Sequence, residues 1–340
     1  MTVKLCKKCV RNINSPFIQS TDDVCQHCEK FESHKEHLLG NLKKIKGKFT
    51  DELKKSKGPG RYDCLVMVSG GKDSISALLQ CWQVKKERVL AYTVDNGFES
   101  DEALNNIKNA VEKLNIDWIL DKPGQIKGTL RTLVKNKAKI SICRFCSGMI
   151  VNRGIKMAID LKIPVMITGW NKGQSDREPS RFPLWKITDE EIAKSLGHSK
   201  ITNLGLLNDE NVQLLVKNKI KVLSPWIFDE RDNDRNIELI KKELGWKITP
   251  TSYPRKSTSC LLNFLQVVLS RKNFGFTHYD CEESMLINYD EKTRREAIKT
   301  LNQDIDKEVI DEVLRRFNLR LKDVGLTPGE LKKFSKFYFE

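Results

Sequence analysis

The sequence predicts an α/β protein: a parallel sheet with helices on both faces, preceded by a small cysteine-rich ribbon and followed by a helical region. Three observations carry this prediction. Short apolar runs alternate with helix-periodic segments across residues 61–230, which is typical of a parallel sheet. Two Cys-x-x-Cys pairs lie within residues 1–34, and the apolar spacing over 231–340 is mainly helical. Residues 35–60 form a basic linker between ribbon and sheet.

The composition describes a basic chain that can bury a large core. Its 340 residues are 39% hydrophobic and 31% charged, enough for about two domains. Sixty Lys and Arg against 45 Asp and Glu give a net charge of +15, which favours polyanionic partners such as ATP, tRNA or phosphorylated carriers. No apolar stretch reaches the ~18 residues of a membrane span, and no apolar signal region opens the chain. We therefore expect a cytoplasmic protein with no membrane partner, in which ten cysteines indicate metal or redox chemistry.

Two cysteine pairs define the N-terminal ribbon. The pairs are separated by fifteen residues, and their members are Cys6, Cys9, Cys25 and Cys28. Four thiolates at this spacing can close a tetrahedron around Zn²⁺. Such a site has no open coordination position, so the spacing predicts a structural zinc ribbon. The ribbon could in addition serve as a docking site for a substrate or partner.

The linker, residues 35–60, is lysine-rich and amphipathic. Over Lys35–Lys57 it carries eight lysines and three acidic residues. Its apolar residues at helical spacing are Leu38, Leu39, Leu42, Ile45 and Phe49. The pattern predicts one solvated helix that ends at Lys57–Gly60. A nucleic-acid clamp is the alternative interpretation.

The segment Ser69–Ser74, Ser-Gly-Gly-Lys-Asp-Ser, follows the apolar run Tyr62–Val68 and opens a helix-periodic segment. A glycine loop between a strand and a helix presents backbone N–H groups to an anion at the positive end of the helix. The hexapeptide resembles the pyrophosphate loop of the PP-loop ATP pyrophosphatases, whose fold is Rossmann-like. These enzymes cleave ATP between its α and β phosphates and adenylate a substrate oxygen. The resemblance implies that the loop binds ATP through Ser69, Gly70, Gly71, Lys72, Asp73 and Ser74, with Mg²⁺ beside Asp73.

Other predicted strands end in polar turns. Arg88–Val94 runs into Asp95-Asn96-Gly97, and Pro164–Thr168 into Gly169-Trp170-Asn171. Ligands of such sheets lie beyond the carboxyl ends of the strands, so we expect these turns to converge on the Ser69–Ser74 loop.

In PP-loop relatives these two turns contact the nucleotide, which implies that role for Asp95 and Gly169. The Thr-Gly-Trp-Asn turn departs from the relatives' Thr-Gly-His-Asn. The acidic run that follows it in the relatives is also missing here, which leaves Asp176 as the second magnesium candidate.

A third cysteine pair, Cys143 and Cys146, opens a helix-periodic segment, and Cys260 precedes a later apolar run. A helix N-terminus lowers thiol pKa values, so we expect Cys143 and Cys146 to be reactive. Together with Cys260 they resemble the three-cysteine site of tRNA 2-thiolation enzymes. That resemblance implies a [4Fe–4S] cluster with one open iron that can carry sulfide. A dithiol carrying a persulfide, or a plain helix cap with Cys260 in the core, are the alternatives.

The two ends of the chain resemble a different group of PP-loop enzymes, the N-acetyl sugar amidotransferases of surface-polysaccharide synthesis. The resemblance lies in Cys6–Val10, Phe274–Phe276 and Tyr289–Ala297. It implies that ammonia, supplied by a glutaminase partner, replaces the activated oxygen.

Three functions follow from these motifs. The preferred one is an ATP-dependent sulfurtransferase in which Lys72, Asp73, Cys143, Cys146 and Cys260 are catalytic. A sulfur donor protein or free sulfide would supply the sulfur. The acceptor would be tRNA, a sugar or a carrier-bound amide. The alternative is the amidotransferase, which has no need for the three cysteines. A zinc-ribbon RNA-binding protein with a degenerate nucleotide fold is disfavoured by the complete loop. A homodimer is left open.

Overall fold

A five-stranded parallel sheet forms the centre of the computed structural model, which describes residues 3–175, 209–229, 233–255, 257 and 259–336. A two-stranded antiparallel hairpin precedes it. The hairpin strands are β1 (Ser20–Thr21) and β2 (Val24–Cys25); the sheet strands are β3 (Cys64–Met67), β4 (Val89–Val94), β5 (Asp117–Asp121), β6 (Val165–Ile167) and β7 (Lys221–Leu223). Their order across the sheet is β5-β4-β3-β6-β7. The predicted α/β class with a Rossmann-like parallel sheet is confirmed.

Both faces of the sheet are buried, because successive side chains of a strand point to opposite sides. Leu65 faces one hydrophobic core, while Cys64 and Val66 face the other. The first core includes residues of the C-terminal helices, and the second includes Cys81 from the helix after β3. Cys64 and Cys81 are both fully buried and belong to the core.

Helices cover the two faces and build the C-terminal region. They are α1 (Gln26–Ile45), α2 (Phe49–Lys55), α3 (Lys72–Lys85), α4 (Asp101–Leu114), α5 (Gly124–Lys135), α6 (Ile142–Asp160), α7 (Lys172–Ser175), α8 (Asp209–Lys217), α9 (Pro225–Phe228), α10 (Asn233–Leu244), α11 (Leu262–Phe274), α12 (His278–Asn288), α13 (Arg294–Leu301), α14 (Lys307–Phe317) and α15 (Pro328–Ser335). Hydroxyl caps begin several of them, as where the Ser100 side chain accepts from the Ala103 N–H. None of the described helices has both the length and the apolar character needed to cross a membrane.

The prediction of one linker helix over residues 35–57 is wrong. α1 begins inside the ribbon, at Gln26, and α2 begins only at Phe49. Phe49 is 1% exposed and packs edge-on against Phe228. Burying this ring requires the chain to turn, and the Gly47 N–H bonds the Phe228 carbonyl at the turn. The domain boundaries at residues 34, 60 and 230 stay a prediction.

The ribbon packs against the C-terminal helices. The Asn12 amide donates to the Gly275 carbonyl at 3.0 Å, and the Ser15 hydroxyl donates to the Phe274 carbonyl at 2.8 Å. The Arg294 guanidinium donates to the Cys9 carbonyl at 3.1 Å. The N-terminal cysteines and α12 therefore share one hydrophobic cluster.

Candidate functional site

A cavity of about 310 Å³ lies at the carboxyl ends of β3, β4 and β6. The strand order reverses direction at β3, which is where ligands bind in open sheets of this class. Residues named in the sequence analysis that line the cavity include Ser69, Gly71, Lys72, Asp73, Ser74, Asn96, Cys143, Cys146, Gly169 and Cys260. The turns after three strands thus meet as expected.

Internal hydrogen bonds hold the Ser69–Ser74 loop. The Ser69 N–H donates to the Ser74 hydroxyl at 3.1 Å, and that hydroxyl donates to the Gly71 carbonyl at 3.0 Å. Gly70 has φ of +74°, and a Cβ there would lie 2.2 Å from the Ala103 carbonyl oxygen. Only glycine fits this position, because other residues would meet both backbone strain and a clash.

Two tryptophans hold the loop from outside. The Trp246 indole donates to the Gly70 carbonyl at 2.9 Å, and the Trp226 indole donates to the Asp73 carbonyl at 3.2 Å. Both indoles are buried and lie outside the set of described residues that line the cavity. These carbonyls are therefore bonded on the side away from the cavity. Sequence reasoning missed both tryptophans, since they lie in later segments with no motif of their own.

The charged side chains of the loop form a pair on the cavity wall. The Lys72 ammonium lies 2.7 Å from the Asp73 carboxylate, with side chains 13% and 25% exposed. Both residues belong to the first turn of α3. The pair can separate toward a bound anion and its cation, because each member remains partly accessible.

The turn after β6 lies directly against the start of α3. A Cβ on Gly169 would be 2.9 Å from the Ser74 nitrogen, so glycine permits this close approach. Thr168 before it is 3% exposed and lines the cavity. Among the described atoms its hydroxyl has no hydrogen-bond partner. A ligand can supply that partner.

Of two further predicted site residues, Asp95 and Asp176, the structure describes only the first. Asp95 is not among the described residues that line the cavity. Its carboxylate accepts from the Gly97 N–H at 2.8 Å and lies 3.4 Å from the Lys122 ammonium. Asp95 shapes the turn in this structure. Asp176 lies outside the described residues.

Two distant segments bring the three cysteines to one wall of the cavity. Cys143 and Cys146 lie on the first turn of α6, and the Ile142 N–H there donates to the Gln266 side chain at 2.8 Å. Cys260 precedes α11, and the N–H of Leu261 donates to the Phe98 carbonyl at 2.8 Å. α6, α11 and the turn after β4 are therefore connected by hydrogen bonds around the cysteines.

The expected lowering of the thiol pKa values is wrong. Burial raises the pKa of Cys143 and that of Cys260 well above the usual range, and raises the pKa of Cys146 to about 12. Loss of water around a thiolate outweighs the attraction of the helix N-terminus. Without a cation in the cavity, all three are therefore protonated thiols near neutral pH.

Glu99 is a cavity residue that sequence reasoning missed. Burial, together with the charge of Asp95, raises the pKa of Glu99 to about 8. A charged Glu99 also disfavours the thiolate forms of Cys146 and Cys260. No motif marks this residue, which reaches the cavity because the chain turns after β4. Near neutral pH it can hold or release a proton.

The ribbon cysteines meet the geometry of a single metal ion. Cys6 and Cys28 have their Sγ atoms 4.0 Å apart, and Cys9 and Cys25 have theirs 3.7 Å apart. Tetrahedral zinc, with Zn–S bonds of about 2.3 Å, places sulfurs roughly 3.8 Å apart. Within the described residues, these four form the group of ligand atoms that all lie within 4.8 Å of one another. The four-cysteine cluster is closed and buried.

The cavity cysteines have a different geometry. Their sulfurs do not meet the 4.8 Å spacing of the ribbon cluster. All ten cysteines lie in the described residues, and none besides Cys143, Cys146 and Cys260 lines the cavity. Wider spacing suits thiolates on different irons of one cluster, and three of them leave one iron without a protein ligand. These residues therefore fit a [4Fe–4S] group better than a single ion.

Known proteins similar to this chain include the following three, and no family model matches the chain. An uncharacterized protein of Methanocaldococcus jannaschii is 26% identical over 293 residues, 85% of this chain and 85% of that protein. The NH3-dependent NAD synthetase of Campylobacter jejuni, solved with nitrate, has a TM-score of 0.36 and 16% identity, over 86% of this chain and 97% of that one. The U34-tRNA thiolase NcsA of Methanococcus maripaludis, solved with its [4Fe–4S] cluster, has a TM-score of 0.38 and 17% identity, over 88% of each chain.

The structure supports the resemblance to PP-loop ATP pyrophosphatases. A Rossmann-like sheet carries the Ser69–Ser74 loop after β3, its central strand, as that resemblance implied. The resemblance is confirmed at the level of the fold. The resemblance of the two chain ends to sugar amidotransferases stays a prediction.

Proposed function

We propose that this protein is an ATP-dependent sulfurtransferase that adenylates a substrate oxygen, releases pyrophosphate and replaces the oxygen with sulfur. One observation carries the proposal: Cys143, Cys146 and Cys260 line the same cavity as the Ser69–Ser74 loop. Amidation by ammonia would need only the loop. A cavity that joins a phosphate-binding loop to three thiols suits activation of oxygen followed by sulfur delivery.

The loop would bind the phosphates of ATP. Its backbone N–H groups and the N-terminus of α3 favour an anion, and Lys72 adds a positive charge on the cavity wall. Asp73 would hold Mg²⁺, which when bound offsets the negative charge of the departing pyrophosphate. The Thr168 hydroxyl offers a further hydrogen bond to the nucleotide.

The three cavity cysteines would hold a [4Fe–4S] cluster. When bound, the cluster supplies one iron without a protein ligand, where sulfide can bind. The raised thiol pKa values disfavour the metal-free persulfide alternative, since the neutral thiol is a poor nucleophile. Near neutral pH Glu99, with its pKa near 8, holds a proton and would act as a hydrogen-bond donor or general acid in the cavity.

The ribbon would hold zinc in a structural role. Its four cysteines are buried and leave no open coordination position. The net charge of +15 favours a polyanionic acceptor such as tRNA, although a sugar or a carrier-bound amide keeps the same chemistry. Sulfide or a donor protein would supply the sulfur.

Anaerobic purification with iron, sulfide and zinc analysis tests the proposal. We expect about four irons and four sulfides per chain in addition to a single zinc. Cys143→Ala and Cys260→Ala should each lose all of the iron and keep the zinc. Cys281→Ala, a cysteine outside the cavity, is the matched control and should keep both.

A colourless protein containing only zinc, with unchanged turnover in the cavity-cysteine variants, would overturn the sulfur step. Product formation with ammonia or a glutaminase partner would then favour the amidotransferase. The two outcomes separate the alternatives, because only sulfur transfer depends on the three cysteines.

The activation step has its own test. Lys72→Ala and Asp73→Ala should reduce conversion of ATP to AMP and pyrophosphate by about 100-fold or more, because each removes charge stabilisation at the phosphates. Lys108→Ala, an exposed lysine on α4, is the control. Normal turnover in both loop variants would contradict the assignment of the loop.

A further inference from the structure

We infer that Asn96 is a positioning residue whose side-chain amide holds the sulfurs of Cys146 and Cys260 as anionic ligands and leaves Cys143 as the chemically distinct third sulfur. The inference rests on the proposed function, since it concerns the sulfurs of the proposed cluster site. It assigns a role to a residue that the motifs named only as part of a turn.

One amide group reaches both sulfurs. The Asn96 Nδ2 donates to the Cys146 Sγ at 3.3 Å and to the Cys260 Sγ at 3.5 Å. Asn96 is 4% exposed and lines the cavity. A buried N–H donor next to sulfur favours the anionic form of that sulfur. The two cysteines come from distant segments, so this amide connects them directly.

The backbone determines which end of the amide faces the sulfurs. The Phe98 N–H donates to the Asn96 Oδ1 at 2.9 Å. A backbone N–H requires an acceptor, so the oxygen belongs on that side and the NH₂ group on the sulfur side. The Cys260 sulfur also lies 4.0 Å from Oδ1, at the edge of the amide.

Phe98 fixes the position of the Asn96 amide relative to Cys260. Its carbonyl accepts from the Leu261 N–H at 2.8 Å, directly after Cys260. Its ring is fully buried, with its centroid 4.6 Å from that of Phe317. Both contacts anchor the same residue, so the donor and its sulfur acceptor move little relative to each other.

Cys143 meets a different group. Its Sγ lies 3.9 Å from the Asn263 Oδ1, an acceptor that cannot stabilise a thiolate. The donor end of that amide bonds the Tyr253 carbonyl at 2.8 Å. The three sulfurs are therefore unequal: two face the Asn96 donor, and the third faces an acceptor.

Two variants separate this role from a purely structural one. Asn96→Asp keeps the oxygen that accepts from Phe98 and removes the NH₂ donor, whereas Asn96→Leu removes both. Asn152→Asp is the matched control, because Asn152 is a buried asparagine on α6 that is not among the residues lining the cavity. All are studied as full-length protein reconstituted anaerobically with iron and sulfide.

The readouts are the midpoint potential of the reconstituted cluster and its iron–thiolate stretching bands in resonance Raman spectra. Hydrogen bonds to the sulfurs raise the potential by stabilising the reduced, more negative state. We expect both Asn96 variants to have a lower potential and shifted bands with iron content retained, and the control to match the wild type.

A potential and spectrum unchanged in Asn96→Asp and Asn96→Leu, with a cluster present, would overturn the inference alone. Equal shifts in Asn152→Asp would also overturn it, because the effect would then be general to the fold. Wild-type protein that takes up no iron and sulfide contradicts the proposed function, and the role of Asn96 falls with it.

Discussion

The molecule contains two cysteine sites that differ in every respect except the Cys-x-x-Cys motif. In the ribbon, four buried sulfurs lie within 4.8 Å of one another, and the Arg11 guanidinium lies 3.5 Å from the nearby Cys281 sulfur. In the cavity, the three sulfurs do not all lie within 4.8 Å of one another, and the acidic Glu99 lines the same space. Four cysteines surround the ribbon site, whereas the cavity cysteines share their cavity with the Ser69–Ser74 loop.

The comparison shows that the motif alone does not decide what a cysteine pair does. A second pair at a short distance in sequence completes the ribbon site, and its Cys25 lies on the hairpin strand β2. The pair on α6 meets a single cysteine from a distant segment, so it is left with an open side. The surrounding charge then differs as well: an arginine beside the ribbon cluster and a carboxyl group beside the cavity cysteines.

The largest loss of stability should come from removing one cysteine ligand of the ribbon site. Cys25→Ser should release the ribbon metal and unfold the ribbon together with its contacts to α12, since structural zinc contributes on the order of 10 kcal/mol to small metal domains. Metal analysis and calorimetry measure the change. Cys260→Ser is the matched control and should keep the zinc. Equal metal content and equal melting temperature in both variants would remove the distinction between the sites.

Arg11→Met tests whether the buried cation supports the ribbon cluster. Arg11 is 1% exposed, and four thiolates around Zn²⁺ leave an excess of negative charge. Removing one partner of a buried charge pair costs about 3 kcal/mol, so urea unfolding and zinc release should both shift. Arg61→Met, with a side chain 72% exposed, should change little. If the two variants behave alike, charge compensation is not what Arg11 supplies.

Glu99→Gln tests the cavity through pH. The folded protein holds the Glu99 proton up to about pH 8, whereas the unfolded chain releases it near the ordinary value of about 4.5. Between these values the folded state binds more protons, so stability falls as pH rises. Between pH 5 and 8 the wild type should lose on the order of 3 kcal/mol relative to Glu99→Gln. Parallel stability curves for the two proteins would refute the buried carboxyl.

The smallest effect should come from Cys281→Ala. This buried thiol contacts Arg11 at 3.5 Å but lies outside the four-cysteine group. Its loss should cost about 1 kcal/mol of packing and leave the zinc content unchanged. Chemical denaturation with metal analysis measures both. A drop in zinc would instead make Cys281 a fifth participant in the ribbon site.

Much of the fold could be predicted from the local pattern of apolar residues, and helix α12 shows where that pattern fails. The strands and most helices lie where the apolar periodicity predicted them. Helix α12 (His278–Asn288) has no amphipathic pattern that would give its bounds, because every residue over Tyr279–Leu286 is buried. A helix buried on all sides has no polar face, so its sequence carries no amphipathic period.

The candidate site was readable only where its residues are contiguous. The Ser69–Ser74 loop and the turn at Gly169 could be predicted because each directly follows a predicted strand. Asn96 and Glu99 lie beside cysteines that come from distant segments of the chain, so no local motif marks them. The raised thiol pKa values depend on burial, which the spacing of residues in the sequence does not show. Asp95, assigned to the nucleotide by resemblance, accepts a hydrogen bond within its own turn, and its nucleotide contact stays a prediction.

The sequence by itself determined the parallel sheet, the glycine loop between β3 and α3 and the four-cysteine spacing, because each arises from residues near one another in the chain. Only the tertiary structure decided that burial raises the pKa values of the thiols at the start of α6. Only it placed the Asn96 amide between Cys146 and Cys260. Desolvation and hydrogen bonding depend on every group packed around an atom, and those groups come from segments far apart in the sequence.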